Sequence, residues 1–399
     1  MKKLLLLGGL RYLIPVIITA KKMGYYVITC DYIPDNIAHK YADEFHNISI
    51  IDKEAVLKLA ISLKIDGIMS FAIDPGVITA AYVREKMGLP SAGPYESIKI
   101  LQNKNLFRKF LENNNFNVPK SRSYSDIEQA IDEFDCFDMP VMVKPVDSAG
   151  SKGVSKVSRV EDLKPALTHA MSFSNAGIII IEDYLESKGY SSDSDCFSIN
   201  GNLEFITFSN QRFDPNSPNP YTPSAYSWPS LLSDKNKTYL KSELQRLITL
   251  LGLKSSIYNI EVRETPDDKA YIMEVSPRGG GNRLSEMILY ATGIDLISCA
   301  IKAALGEDIE DFPRLSYNGN WAEVILYSNE SGVFKELRID SKVEKYIVEV
   351  DLWVLKGDHV NGFTGANEAI GTLVLKFDDA EMLDSVISNY SQYIKVIIE

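Results

Sequence analysis

Two neighbouring segments in which apolar and polar residues alternate constrain this chain more than any other feature. They cover residues 258–263 and 271–283, and the Pro and Asp residues between them are typical of a turn. The pattern therefore predicts an antiparallel hairpin. A turn centred on 267–268 would put Glu261 directly opposite Glu274.

Because side chains alternate across a strand, this hairpin would have one polar and one apolar face. The polar face would carry Asn259, Glu261, Arg263, Glu274, Ser276 and Arg278. The apolar face would carry Ile260, Val262, Met273 and Val275. We expect the first face to be a charged site and the second to belong to the core.

The two opposed carboxylates need a cation between them. Directly opposite residues have Cβ atoms about 4.5–5.5 Å apart, so Glu261 and Glu274 would repel each other. Oxygen ligands without His or Cys nearby suit Mg²⁺, or Mn²⁺ in its place, as one or two ions. Arg263 and Arg278 would flank the ion and hold phosphate oxygens. The alternative is a solvated hairpin with surface ion pairs, but the glycines at 279–281 favour close approach of a ligand.

Length, charge and cysteine content narrow the class of protein. The 399 residues exceed what one core normally fills, so two or three domains are expected. The net charge of -12 argues against a nucleic-acid groove, and no apolar run is long enough to predict a membrane span. The four cysteines form no CxxC pair, so neither a zinc site nor a disulfide framework is indicated. We expect a cytoplasmic protein.

The N-terminal segment has a βαβ pattern. An apolar run at 3–8 is followed by a helical pattern up to Gly24 and by a second strand at 26–30. A dinucleotide-binding GxGxxG motif would need glycine where Leu10 stands. We therefore predict a Rossmann-like layer that does not bind NAD.

For two lysines the sequence leaves two roles open, which are binding of phosphate and a plain position on the surface. Lys104 is on a helix predicted at 103–113, whose basic face could simply be solvated. Lys144 ends a short strand, just before a loop of small residues at 147–155. That loop does not fit the Walker A pattern, although backbone amides in such loops can wrap phosphates.

Two later segments have less regular patterns. A strand predicted at 178–185 ends in polar residues, which form either an ordinary exit loop or a hinge that binds a purine. We place Asp193 and Asp195 in the Ser-rich loop that follows. Residues 210–230 show no periodicity, which predicts a long loop that is functional or mobile. After the hairpin, the pattern predicts a helix at 284–305.

In this order the segments resemble the ATP-grasp superfamily of carboxylate-amine ligases over essentially the whole chain. The resemblance implies an α/β and α+β architecture, with a Rossmann-like N-terminal layer, an ATP-grasp unit of two subdomains and a small C-terminal α+β piece. The implied boundaries are 1–103, 104–320 with a lid at about 117–185, and 321–399.

The resemblance also implies a nucleotide site. The ATP phosphates would be bound by Lys104, Lys144 and a mobile loop containing Ser148, Gly150 and Gly153. Adenine would meet a hinge made of Glu182, Asp183 and Leu185. The acidic residue expected near the ribose is displaced: a serine, Ser191 or Ser192, stands in its place, and only Asp193 or Asp195 could substitute for it.

The same resemblance assigns the reacting end of the site. The metal ligands would be Glu261, Glu274 and Ser276, the last standing where the family has a longer Asn. Arg278 would lie beside the transferred phosphoryl group, with Arg263 as a second catalytic arginine. The acceptor pocket would lie between the segment that contains Arg212 and the glycine segment that contains Gly280 and Arg283, with Arg283 holding a second carboxylate. The alternative for residues 210–230 is a Pro-rich surface excursion without ligand contact.

The chemistry implied by the resemblance uses ATP to activate a small carboxylate as an acyl phosphate. An amine then displaces phosphate, and ADP and phosphate are released. A small-molecule kinase and a nucleotide-binding module without turnover are the rival hypotheses, and the intact carboxylate pair argues against the second. The expected partners are a small acid and an amine, with no nucleic acid and no membrane, while a homodimer stays open.

Overall fold

A four-stranded parallel sheet forms the N-terminal layer of the structure, a computed structural model that describes residues 1–148 and 150–399. Its strands are β1 (Lys3–Leu7), β2 (Tyr26–Asp31), β3 (Glu44–Asn47) and β4 (Gly67–Ser70), in the order β3-β2-β1-β4. The helices of this layer are α1 (Ile14–Lys22), α2 (Lys53–Leu63), α3 (Val77–Met87) and α4 (Tyr95–Gln102). The apolar run of β1 is buried, as expected for a parallel sheet covered by helices. The predicted βαβ start is confirmed.

A second, antiparallel sheet follows the helix α5 (Lys104–Asn113). Its strands are β5 (Ser121–Tyr124), β6 (Val141–Pro145), β7 (Ser155–Val157) and β8 (Ile179–Asp183), and its helices are α6 (Ile127–Asp132) and α7 (Leu163–Ser172). The strand order is β5-β8-β6-β7, and we call these four strands the lid sheet. The strand β8 is an inner strand of this sheet, and its apolar side chains are buried because Ile179 and Ile181 pack in one core cluster with residues of α7.

The next part of the chain contains the predicted hairpin. Its elements are β9 (Ser192–Ile199), β10 (Asn202–Ile206), β11 (Asn210–Phe213), β12 (Pro223–Trp228), α8 (Asp234–Leu250), β13 (Ser256–Glu264) and β14 (Ala270–Ser276). Four of these strands form the central sheet, in the order β10-β9-β13-β14.

The register of the hairpin β13/β14 agrees with the prediction at the charged positions. Glu261 pairs with Glu274. Beyond that pair the register shifts by one residue, so that Val262 pairs with Ile272. Met273 is the extra residue of this bulge, and Ile272 takes the place in the core cluster that we predicted for Met273.

The C-terminal part is mostly antiparallel. Its elements are α9 (Leu284–Thr292), α10 (Leu296–Ala304), β15 (Asn320–Leu326), β16 (Gly332–Ile339), α11 (Ser341–Glu344), β17 (Ile347–Leu352), β18 (His359–Val360), β19 (Gly371–Phe377), α12 (Ala380–Ile387), α13 (Tyr390–Tyr393) and β20 (Ile394–Ile398). One sheet has the strand order β11-β12-β15-β19-β17 and a smaller one has the order β18-β16-β20. We call the five-stranded sheet the C-terminal sheet.

The prediction of a long loop at 210–230 is wrong, because this segment supplies β11 and β12 to the C-terminal sheet. Nearly every residue of β12 is buried, so no alternation of polar and apolar residues marks it as a strand. Two strands from before residue 320 thus share a sheet with strands that follow it. The domain boundary at 320 stays a prediction.

The single helix predicted at 284–305 is two helices. Gly293 ends α9 with φ of +78°, a left-handed conformation that favours glycine. The Asp295 carboxylate then accepts the backbone N–H of Ser298 at 3.0 Å and begins α10. Within the described residues, no helix has the length and apolar character needed to cross a membrane.

Candidate active site

The central sheet places three carboxylates in one row. Glu261 pairs with Glu274 on one side and with Asp193 on the other. Side chains in one row point to the same face, so these acidic groups are neighbours. We call Asp193, Glu261 and Glu274 the acidic row. Sequence analysis placed Asp193 in a loop, because its pairing with a strand distant in sequence leaves no local signal.

A second row, beside the acidic row, contains Asp195, Asn259 and Ser276 and holds the glycine segment 279–281 in place. Asn259 donates an N–H to Asp193 Oδ1 at 2.7 Å. Asp195 accepts the backbone N–H of Gly280 at 2.9 Å and the hydroxyl of Ser285 at 2.5 Å, each on a different carboxylate oxygen. Both oxygens of Asp193 are bonded as well, to Asn259 and to the hydroxyl of Tyr226, so the residue that contacts the ribose stays a prediction.

The electrostatics of these rows favour a cationic ligand. Burial, followed by the charge of Glu261, raises the pKa of Asp193 to about 7. Burial also raises the pKa of Asp195 to about 6. A cation placed among these groups would stabilise their charged forms. Within the described residues, no group of three or more acidic, His or Cys side chains forms a set of metal ligands.

Lys104 is held between the acidic row and the small-residue loop. The Asn103 side chain accepts the backbone N–H of Leu106 at 3.0 Å, which caps α5 and fixes Lys104 at its first turn. The Lys104 ammonium lies 3.5 Å from Glu274 and donates to the carbonyl of Ser148 at 3.2 Å. Burial by itself would lower the pKa of Lys104, but Glu274 and further carboxylates raise it above its ordinary value. Lys104 is therefore a fixed cation beside the predicted metal carboxylate.

Arg278 is clamped by a residue that sequence analysis missed. The guanidinium donates to both carboxylate oxygens of Asp74, at 2.9 and 2.8 Å, and to Asn259 Oδ1 at 3.0 Å. This bidentate pair raises the pKa of Arg278 against the effect of its burial. Asp74 follows the carboxyl end of β4, where open α/β sheets usually bind ligands, and that position was the available signal.

Ser276 is less available to a metal ion than we predicted. Its hydroxyl donates to Asp74 Oδ1 at 3.0 Å and accepts the side-chain N–H of Gln102 at 2.7 Å. The side chain is fully buried. These contacts give Ser276 a role in joining the central sheet to the N-terminal layer, and its assignment as a metal ligand stays a prediction.

Arg263 contacts the hinge instead of lying beside Arg278. Its guanidinium donates to the backbone carbonyl of Leu185 at 2.9 Å and to the hydroxyl of Ser191 at 3.2 Å. The carbonyl of Leu185, which we assigned to the adenine hinge, is therefore already an acceptor. In this arrangement Arg263 fixes the chain between the lid sheet and the central sheet.

Glu182 lies at the centre of a buried ion triad. Its carboxylate pairs with the ammonium of Lys144 and, at 3.0 Å, with the guanidinium of Arg108, which also donates to the Met273 carbonyl at 2.8 Å. Burial opposes ionisation of Glu182, but Arg108 and Lys144 overcome it and lower its pKa to about 2. Because both oxygens of Glu182 are paired, Glu182 positions Lys144. In this arrangement neither oxygen is free to contact adenine. The next residue, Asp183, has one buried carboxylate oxygen without a partner in the described part of the chain.

The small-residue loop is described on both sides of Ala149, which lies outside the described residues. Besides the contact from Lys104 to Ser148, the hydroxyl of Ser151 donates to the Tyr221 carbonyl at 2.9 Å. Gly150 has φ of +69° and open space around it. The loop therefore lies beside Lys104, where we predicted that it binds phosphates.

Two of the three glycines in the segment 279–281 are closely packed. A Cβ atom on Gly279 would lie 2.2 Å from the buried ring of Phe71, and its carbonyl accepts the Ala72 N–H at 3.0 Å. A Cβ on Gly280 would lie 2.5 Å from Leu284 Cδ1, whereas a Cβ on Gly281 would meet nothing within 4 Å. The first two glycines are required by packing and the third is open to a ligand.

We expect Gly279→Ala to destabilise the protein by about 1–3 kcal/mol, because the added methyl group would overlap the buried ring of Phe71, which would have to shift. Gly281→Ala is the matched control and should leave the melting temperature unchanged. Differential scanning fluorimetry of the two variants checks this. Equal melting temperatures for both would show that the contact between Gly279 and Phe71 is not needed.

The two predicted substrate arginines lie on different faces of the C-terminal sheet. Arg212 on β11 pairs with Ala225 on β12. Because consecutive residues of a strand point to opposite faces, Arg212 lies on the face opposite to Tyr226. Its guanidinium donates to Asp384 of α12 at 2.8 Å. Arg283 instead contacts Glu349 at 3.0 Å, and Glu349 lies in the row that contains Glu323 and Tyr226, on the opposite face. The prediction that Arg212 and Arg283 line one acceptor pocket is therefore wrong. The cause is the same strand pairing that overturned the loop at 210–230.

Comparisons with known proteins agree with this architecture. Residues 137–286 match the family model of the ATP-grasp domain. The carbamoyl phosphate synthase large chain of Thermoanaerobacter sp. (strain X514) is 27% identical over 233 residues, which are 57% of this chain and 20% of that protein. The chain thus spans about a fifth of the length of this relative.

Two solved structures cover the whole chain. An L-amino acid ligase from Bacillus licheniformis superposes with a TM-score of 0.83 at 19% identity, over 100% of this chain and 99% of the other. A phosphoribosylglycinamide synthetase from Anaerococcus prevotii superposes with a TM-score of 0.77 at 20% identity, over 100% of both chains. The chain therefore has the fold of these proteins, and its residues 137–286 match the ATP-grasp domain, in agreement with the prediction from the order of its segments.

Proposed function

We propose that the protein is an ATP-dependent ligase that activates a small carboxylate as an acyl phosphate and joins it to an amine. The observation that carries this proposal is the acidic row with two fixed cations, Lys104 and Arg278, whose charges act on its carboxylates. Lys104 lies 3.5 Å from Glu274, and Arg278 is held rigidly by Asp74. Phosphoryl transfer depends mainly on positioning and charge neutralisation, for which this arrangement is suited.

The donor atoms of the site fit magnesium. Glu261 and Glu274 are half-buried carboxylates on adjacent strands, and neither His nor Cys lies in the acidic row. These two residues would hold the ion, with water and phosphate oxygens completing its shell. When bound, the ion would neutralise negative charge on the phosphate oxygens of ATP.

The proposed reaction has two steps. A carboxylate oxygen of the substrate attacks the γ-phosphorus of ATP, the bond from that phosphorus to the β,γ-bridging oxygen breaks, and ADP leaves. The amine nitrogen then attacks the acyl carbon, phosphate leaves with the electrons of the carbon–oxygen bond, and the nitrogen loses a proton. Lys104, Lys144 and Arg278 supply positive charge, while Asp74 and Glu182 keep two of these cations in place.

The likeness to an L-amino acid ligase supports a small acid and an amine as the substrates. The net charge of -12 also disfavours a large anionic partner. A kinase would need the same phosphate contacts but would transfer the phosphoryl group to a hydroxyl. The two functions differ in whether free phosphate is released.

We expect phosphate release from ATP and Mg²⁺ only when an acid and an amine are both present. The measurement is a phosphate-release screen of amino acids and small carboxylic acids in pairs, with the nucleotide product identified by chromatography. ADP should be the product, and hydroxylamine should trap the activated acid as a hydroxamate. Release of AMP and pyrophosphate would overturn the acyl-phosphate route, and ADP without free phosphate would favour the kinase.

A further inference from the structure

Glu323 is a fully buried carboxylate with no hydrogen-bond partner. It lies on β15 in the middle of the C-terminal sheet, has no exposed surface, and both of its oxygens lack a donor among the described residues. Burying such a group without a partner costs several kcal/mol or forces it to take up a proton. Burial raises the pKa of Glu323 well above its ordinary value, which shows how poorly its surroundings support the charge.

The surroundings of Glu323 hold more acidic than basic groups. Arg283 is the cation whose charge acts on Glu323, but its guanidinium already contacts Glu286 at 3.0 Å and Glu349 at 3.0 Å. The hydroxyl of Tyr290 donates to Glu349 at 2.7 Å. Glu286 and Glu349 therefore share the guanidinium of Arg283, and Glu323 receives no bond from it. A second cation would balance this cluster.

The row that contains Glu323 offers a further acceptor. Tyr226 pairs with Glu323 on one side and with Gln211 on the other, so the three side chains point to one face. The carbonyl oxygen of the Gln211 side chain is also buried without a donor within the described residues. All three unpartnered atoms on this row are acceptors, which calls for a ligand that donates hydrogen bonds.

Hydrogen bonds connect this face with the acidic row. The hydroxyl of Tyr12 donates to Asn282 Oδ1 at 3.1 Å, and the side-chain N–H of Asn282 donates to Tyr226 Oη at 3.2 Å. The Tyr226 hydroxyl in turn donates to Asp193 Oδ2 at 3.1 Å. The open side of Gly281 adjoins Asn282, so a ligand in the cluster would lie next to the reacting end of the site.

We propose that Glu323, together with the Glu286 and Glu349 carboxylates around Arg283, forms a subsite for the protonated amine of a small substrate. An ammonium group has three N–H donors and one positive charge, which match the unpartnered acceptors and the excess of carboxylates. The place of this subsite in a reaction rests on the ligase function proposed above, whereas the binding of the ammonium group does not.

The chemistry of the ammonium group decides which substrate carries it. An amine held among carboxylates stays protonated, so its nitrogen has no lone pair with which to attack an acyl phosphate. The bound ammonium is therefore not the attacking nitrogen. A substrate activated at its carboxylate can carry such a second, unreactive amine, whereas an amine substrate with a single nitrogen cannot. That substrate class is an amino acid or a related small acid with a free amine.

The test compares acids that differ only in the ammonium group. The probe pairs are L-alanine with propionate, L-leucine with 4-methylpentanoate, and L-phenylalanine with 3-phenylpropanoate. For wild type we expect a Kd or KM about 10- to 100-fold lower for the amino acid of the pair that fits the pocket. Glu323→Gln should remove this preference while leaving the KM for the des-amino acid unchanged.

Two controls show that the effect is local. Glu336→Gln changes an exposed carboxylate of the same part of the chain and should keep the preference. Glu323→Gln replaces a buried carboxyl group that has no partner among the described residues by a neutral group of the same shape, so its melting temperature and its affinity for ADP with Mg²⁺ should stay close to those of wild type. A preference that survives in Glu323→Gln would overturn the proposed subsite.

Calorimetry separates failure of the subsite from failure of the ligase function. If no acid and amine pair releases phosphate, the same probes are titrated into the protein saturated with ADP and Mg²⁺. Amino acids that bind wild type but not Glu323→Gln would support the subsite without the ligase. Absence of binding by any amino acid, up to a Kd of about 10 mM, would overturn the subsite.

Discussion

Replacing Glu274 with glutamine should lower the rate of ATP turnover by about 10²- to 10³-fold, the usual effect of losing one preorganised charged group at a phosphoryl-transfer site. The variant keeps the shape of the side chain but removes the charge that faces Glu261 and Lys104. Its fold should be unaffected, because the Glu274 side chain is 36% exposed and its contact with Lys104 is a single pair at 3.5 Å. The measurement is steady-state phosphate release with the substrate pair found in the screen.

The matched control for this variant is Asp267→Asn, which removes an exposed carboxylate from the turn of the same hairpin. It should retain wild-type turnover. Titration calorimetry should also show weaker binding of ATP with Mg²⁺ to Glu274→Gln than to Asp267→Asn. Wild-type turnover in Glu274→Gln would remove the acidic row from the mechanism.

The hairpin at the centre of the site could be predicted because the residues that determine it lie close together in the sequence. Its turn residues and the alternation on both strands determine which residues pair, and the structure has Glu261 opposite Glu274. The bulge at Met273 was not predictable, since it depends on how the strand fits the core beneath it. Local pattern therefore predicts which carboxylates meet, but not the exact course of the strand beyond them.

The contacts that were missed all join segments distant in sequence. Asp74 lies on the N-terminal layer and holds Arg278, while Asp193 reaches the acidic row through the pairing of β9 with β13. Arg108 on α5 meets Glu182 on β8. A single sequence contains the charged residues themselves but no signal that pairs them. For the same reason nothing in the sequence indicates that Glu182 balances two cations, and its contact with adenine stays a prediction.

Disruption of the buried ion triad around Glu182 is the second change for which we expect a large effect, in this case on stability. We expect Glu182→Gln to destabilise the lid sheet by about 3–5 kcal/mol, because it leaves Arg108 and Lys144 without their shared counter-charge. Glu182 and Arg108 have 2% and 4% of their side-chain surface exposed, so solvent screens this interaction little. Hydrogen exchange of the peptides that cover β6 and β8 measures this locally. Turnover should also fall, since Lys144 loses the partner that positions it.

The pH dependence of the triad gives a second measurement of the same effect. The folded protein holds the pKa of Glu182 at about 2, below the ordinary value of 4.5. A carboxylate with a lowered pKa stabilises the fold above its unfolded pKa, and this contribution is lost as the pH falls through the folded value. The stability difference between wild type and Glu182→Gln should thus be constant above pH ~5 and shrink from there towards pH ~2. Glu186→Gln, an exposed carboxylate four residues further along, is the control and should match wild type at every pH. If the difference between wild type and Glu182→Gln does not shrink on acidification, Glu182 is not ionised in the folded protein and the triad is not its stabilising feature.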